Sequence, residues 1–273
     1  MATNRLDEPD ILAPFFSDDD EDPNNGSSMT LVEHLEELRW RIIKAVAAIV
    51  VTSIIAFVFR QYVVWFLELP LPTKQADVFG GKLIVTGIME GFTTFLLISI
   101  AAGFILALPF VLYQLWAFIA PGLYEKEKKY AVPFIFIGIG LFVAGVALGY
   151  IVIRYPVEWL ITFAASNFTE LISAGSYFTF VAFFMLAFGI VFEIPLVLTF
   201  LSKIGLVTAR TLRKKRVPAH IGMWIAATFL TPGADPYSPI FLGVAMSFLY
   251  ELTIIFIRIF NKEGQEAEAE AEA

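Results

Sequence analysis

Acidic side chains at or inside apolar stretches are the residues of this chain whose types and spacing could do chemistry. The segment TLVEHLEELRWR carries Glu33, Glu37 and Arg41 at one-turn intervals, while Leu31, Leu35, Leu38 and Ile42 fall at offsets of 0, 4, 7 and 11. That period is helical, and Thr30 followed by Glu33 is a capping box that starts the helix. The charged face is either a solvated stripe with a Glu37–Arg41 pair or a carboxylate site for a cation. Further on, WAFIAPGLYEKEKK breaks a helix at Pro121-Gly122 and interleaves Glu125 and Glu127 with three lysines. This is either hydrated, topology-setting charge or, together with Glu37, one half of a receptor for two cations. Arginine would be the natural guest, because its planar fork pairs bidentately where lysine offers a point charge. Glu193, in FEIP, lies inside an apolar run beside Pro195. A carboxylate in lipid is costly, so such a residue faces a bundle interior, a partner or a wet cavity. Proton carriage, an interhelical hydrogen bond and a partner contact are all open. Glu251 poses the same question in the last apolar run, and Asp235 in TPGADPYSP reads as turn chemistry.

Catalytic constellations do not form around these acids. The chain has no cysteine, and its two histidines, His34 and His220, are far apart in sequence. Thiolate catalysis and a histidine-rich metal site are therefore not expected. Gly80-Gly81-Lys82 lacks the P-loop spacing, and no serine stands in a G-x-S-x-G elbow. The reading is a protein that is not an enzyme, with no cofactor, no metal and no nucleic-acid partner.

The elements that must position these acids are membrane helices. Of 273 residues, 58% are hydrophobic and only 16% charged, with a mean hydropathy of +0.74. Soluble domains are less apolar and more charged, so the excess apolar surface requires lipid as its solvent. Residues 92–112 hold no charge at all, a run long enough to cross a hydrocarbon core of about 30 Å. The net charge of −7 belongs to the ends. Residues 1–28 hold eight carboxylates against Arg5, and five glutamates follow from Glu263, while 18 bases face 13 acids between them. Residues 1–28 and 263–273 therefore read as acidic disordered tails, the second of low complexity, around a transmembrane domain of residues 29–262. The first apolar run begins near residue 42 after acid rather than a basic leader, so insertion is expected to use an internal helix.

Six spans are expected, at roughly 42–59, 91–118, 130–153, 177–201, 219–231 and 239–259. With both ends inside, fifteen lysines and arginines fall on inner segments and four (Arg60, Lys74, Lys82, Arg154) on outer ones. That bias fixes both termini as cytoplasmic, and it places Glu37 and Glu127 on one surface. Pro109 in the long second span predicts a tilt or kink. The fifth span, between Arg216 and Pro232, has 15 residues, or roughly 22 Å as helix, which is short for a bilayer. Gly138, Gly140, Ala144, Gly145 and Gly149 predict close helix packing, within the chain rather than at a subunit interface. Residues 60–89 and 154–175 are long enough to form an outer cap. A small-solute carrier would show a pore-lining polar series and often a repeat, and neither is visible. A membrane scaffold without transport activity is the other alternative.

In order along the chain, HLEELRWR at 34–41, LYQLWAFIAPGLYEKEKK at 112–129, AFGIVFEIP at 187–195, LRKKR at 212–216 and LTPGADPYS at 230–238 resemble the TatC family. That family is the core membrane subunit of the twin-arginine protein translocase, and the resemblance runs from about residue 29 to 262. It implies an all-α integral membrane fold of six helices in a glove-like concave bundle, with short fifth and sixth spans. It also implies recognition of folded cargo through the paired arginines of signal peptides, with Glu37 and Glu127 as the binding carboxylates and Arg39 and Phe118 beside them. Glu193 matches the family's intramembrane glutamate, implicated with single-span TatA and TatB-like partners. Pro70 matches the proline after the first span and Asp235 the outer acidic position. Self-association in a receptor complex, a plasma-membrane location and drive by the proton-motive force follow from the same resemblance.

Overall fold

The computed structural model describes residues 31–72, 83–119, 131–164 and 171–260. The chain divides into two compact units, residues 1–39 and 40–273. Among the described residues the secondary structure is helical, apart from one parallel bridge between Ile84 and Ser173. In chain order the helices are α1 (Leu31–Val58), α2 (Arg60–Glu68), α3 (Glu90–Ile119), α4 (Ala131–Val152), α5 (Arg154–Ala164), α6 (Ala174–Val191), α7 (Ile194–Lys203), α8 (Ala209–Lys214), α9 (Arg216–Leu230) and α10 (Tyr237–Phe260).

Five helical segments are long and apolar enough to cross a membrane: Glu33–Val58, Glu90–Ile119, Val132–Phe163, Ala174–Lys203 and Tyr237–Ile259. The expected fifth span is α9, which has 15 residues and is roughly 22 Å long. The sixth lies where expected, at 239–259, but is not short as the resemblance implies. α10 has 24 residues because its apolar run is unbroken, and Pro239 stands in the first turn, where no helical N–H is required of it. The chain is a multi-pass membrane protein. Large apolar side chains such as Val51, Ile54, Val58, Phe136, Ile151 and Phe229 are more than half exposed, an arrangement that lipid tolerates and water does not.

A helix break falls where the backbone chemistry requires it. α3 remains one helix through Pro109. The fourth span breaks instead, at Phe192–Glu193, between α6 and α7. Pro195 explains the break, since in an unbroken helix its ring would strike the Val191 carbonyl and it has no N–H to donate.

Close packing rests on small residues. A Cβ on Gly145 would lie 2.6 Å from the Phe188 carbonyl oxygen, and one on Gly149 would lie 3.1 Å from Phe188 Cβ, so α4 meets α6 backbone to backbone. Gly138 is crowded by Leu196 and Leu112, whereas Gly140 faces open space. α1 touches α3 at Gly103, where a Cβ would come within 2.6 Å of the Ser53 backbone, and Thr52 Oγ1 donates to the Gly103 carbonyl at 2.7 Å. Around these contacts Ile98, Ile153, Val181, Phe184, Phe188 and Leu242 are fully buried.

The connecting segments are pinned by polar groups. Tyr150 and Tyr177 hydroxyls donate to the Phe66 and Leu67 carbonyls at 2.7 and 2.8 Å. These carbonyls end α2 and have no helical donor of their own. Pro70 follows in the turn that closes α2, so it stands after this short helix rather than directly after the first span. Burial pushes the Glu68 carboxyl above its usual value.

Candidate functional site

Glu37 lies in the second turn of α1 and is half-buried, with Oε2 3.9 Å from His34 Nδ1. Glu33 and Arg39 on the same helix are exposed. Along α1 the charges continue through Arg39, Arg41 and Lys44, and the charge-free run begins at Ala45, about two turns after Glu37. The expected second carboxylate, Glu127, lies outside the described residues, as do Glu125 and the Pro121-Gly122 break.

Phe118 occupies the last turn of α3 and is half-buried. The same end of α3 holds polar groups that the sequence reading passed over. Gln114 is buried, and Arg41 Nη1 approaches its Oε1 at 3.5 Å, a long contact for a hydrogen bond. Trp116 packs on Phe134 with ring centroids 5.2 Å apart and meets the edge of Phe200 at 5.5 Å. Its Nε1 is buried without a hydrogen-bond partner. A Gln and a Trp among phenylalanines, three to five residues before the loop, would have been the sequence signal.

Glu193 closes the break between α6 and α7. Its backbone is satisfied, with Glu193 N–H donating to Ile190 O and Val197 N–H to Glu193 O, each at 3.0 Å. Its side chain is different. Oε1 is buried with no hydrogen-bond partner, and Oε2 is directed at Gly138, where a Cβ would lie 3.3 Å away. The carboxyl therefore points between helices rather than away from the bundle. Desolvation without a partner is costly, and the glycine opposite lets α4 approach the carboxyl closely.

Glu251 and Asp235 are occupied by structural partners. Glu251 Oε2 accepts from Arg216 Nη2 at 2.6 Å, and its Oε1 lies 3.2 Å from His220 Nε2. This ties α9 to α10. Asp235 is buried; its Oδ1 accepts from Ser238 N–H at 2.7 Å and its Oδ2 from Ser238 Oγ at 2.6 Å, which caps α10. Arg216 and His220 stand one helical turn apart, and that spacing was the available signal for a shared acid.

Glu90 was missed altogether. Its Oε2 accepts from Thr86 N–H, Thr86 Oγ1 and Gly87 N–H at 2.5, 2.6 and 3.1 Å, and its Oε1 accepts from Gly175 N–H at 2.9 Å. The carboxylate clasps the start of α3 to the start of α6, reinforced by Ala174 N–H donating to Ile84 O at 2.8 Å. An acid in the first turn of an apolar helix is a helix-start signal, but its partner 85 residues away is not readable locally. Among the described residues no group of three or more His, Cys, Asp or Glu side chains could hold a metal ion.

Taken together these features define a helical, multi-spanning membrane protein with one unpartnered acid, Glu193, among the described residues of the bundle and a half-buried acid, Glu37, in the second turn of its first helix. Residues 33–244 match the family model of the Sec-independent protein translocase protein TatC, and the chain belongs to that family. TatC of Desulforapulum autotrophicum is 37% identical over 240 residues, covering 88% of each chain. TatC of Carboxydothermus hydrogenoformans is 39% identical over 235 residues, covering 86% of this chain and 94% of the relative. Among solved structures, a crystal structure of the twin arginine translocase receptor TatC matches with a TM-score of 0.71 and 33% identity, covering 83% of this chain and 99% of that one. The chain is thus a transport component, part of a Tat translocase system.

Proposed function

We propose that this subunit recognises the twin-arginine signal peptides of folded proteins at the cytoplasmic face of the plasma membrane, through Glu37 and Glu127, with Arg39 and Phe118 flanking them. One observation carries the proposal: α1 presents the half-buried Glu37 about two turns before the charge-free run that opens at Ala45. A signal peptide has the same order, arginines first and an apolar segment after. Each guanidinium would pair bidentately with one carboxylate, and removing one partner of a desolvated pair costs a few kcal/mol. Both termini are cytoplasmic in this reading, following the lysine and arginine bias.

Glu193 serves a different step. Its carboxyl between α4 and the α6–α7 break offers a buried acceptor to a polar group on a single-span partner of the TatA or TatB type, or carries a proton. The chain self-associates in the receptor complex and draws energy from the proton-motive force, with no catalysis, cofactor or metal of its own.

The test is crosslinking of the purified protein to a twin-arginine signal peptide, with a twin-lysine peptide as control. Capture of the arginine form, lost in Glu37→Ala and Glu127→Ala variants that still fold, is the expected result. Undiminished capture by the double variant would sink the site.

A further inference from the structure

We propose that a groove between α1 and α3 binds one phospholipid, its hydrocarbon chains in the groove and its phosphate on Arg60. The cavity measures about 540 Å³, with Ile49, Ile54 and Phe57 on one wall and Phe92, Leu96 and Ile100 on the other. Two serines also line it, but neither has a hydroxyl proton left to donate to a guest. Ser53 Oγ donates to Ile49 O at 2.7 Å and Ser99 Oγ to Phe95 O at 2.6 Å, each within its own helix. The lining is therefore carbon in effect, and a carbon-lined groove open to a bilayer takes up hydrocarbon.

Charge identifies the other end of the guest. Arg60, two residues beyond the last lining residue of α1, holds its guanidinium 5.2 Å from the Phe57 ring centroid and 5.5 Å from that of Phe95. Nη1 donates to the Phe57 carbonyl at 3.3 Å. Among the described residues no carboxylate pairs with it. Glu90, the acid at the start of α3, is already taken up by Thr86, Gly87 and Gly175. A guanidinium has five N–H donors and stays charged, so most of its donors remain for phosphate oxygens at the mouth of an apolar slot. The fixed positive charge of Arg60 favours an anionic head at that end of the groove.

Native mass spectrometry of the full chain in detergent tests the site, titrated with phosphatidylglycerol, with diacylglycerol of the same chains, and with inorganic phosphate. One phosphatidylglycerol per chain is expected, with diacylglycerol held about tenfold more weakly and inorganic phosphate not retained. Arg60→Gln should reduce phosphatidylglycerol retention about tenfold. Ile54→Trp should block the groove with Arg60 intact; if that variant fails to fold, Leu96→Trp blocks it from the opposite wall. Equal retention of phosphatidylglycerol and diacylglycerol, or retention undiminished in Arg60→Gln, overturns the proposal. So does a photo-crosslinker at Ile54 that captures a polypeptide instead of lipid in native membranes.

Discussion

The α9–α10 pair and the α4–α6–α7 cluster each hold one glutamate among apolar helices, and the two are held in opposite ways. At the first, Glu251 receives Arg216 and His220, and Trp224 packs within 3.0 Å of where a Gly243 Cβ would stand. Charge and ring packing join those helices. At the second, the helices meet through glycine against backbone, and Glu193 Oε1 is buried with no partner. A paired acid contributes to the fold that contains it. An unpaired buried one is kept at a solvation cost, and the proposed contact of Glu193 with a partner would offset that cost.

Four substitutions break or sharpen this contrast. The largest effect is expected from Gly145→Leu, which drives a side chain into Phe188 and Phe192 and should cost about 3 kcal/mol or more, read as a lowered unfolding midpoint in detergent. A neutral result would mean that backbone proximity does not hold the α4–α6 contact. Glu251→Ala should cost about 1–2 kcal/mol, less than a deeply buried pair because both partners are partly solvated. Combined with Arg216→Ala, the loss should fall short of the two single losses added; full additivity would dissolve the pairing. Asp235→Ala removes the α10 cap and should cost about 1 kcal/mol, with Asp235→Asn retaining most of it. Smallest in stability is Glu193→Gln. The midpoint should hold or rise while export of a twin-arginine reporter falls, and a clear drop in stability would place Glu193 with Glu251 as a structural acid.

Much of this architecture is readable locally. The turn reading of Asp235 agrees with the cap seen here, and the glycine series at Gly138, Gly145 and Gly149 marks real close approaches. The stretch between Arg216 and Pro232 marks a short helix, and α9 runs from Arg216 to Leu230. Pro109 and Pro195 look alike in sequence, yet α3 continues through the first, whereas α6 ends before the second. α10 came out longer than the resemblance implied because family likeness carries less about length than the chain's own apolar run.

Sequence by itself determined the solvent and the helices, since transfer of apolar residues into lipid and 3.6-residue periodicity are properties of short stretches of chain. It also named Glu37 and Glu193 as the acids of interest. Only the tertiary structure decided which acids are already satisfied: Glu251 by residues 31 and 35 positions away, and Glu90 by an amide 85 positions away. The same holds for the slot beside Arg60, which exists only where two helices leave a gap. Pairing and cavities depend on distances between groups remote along the chain, and those distances are set by packing alone.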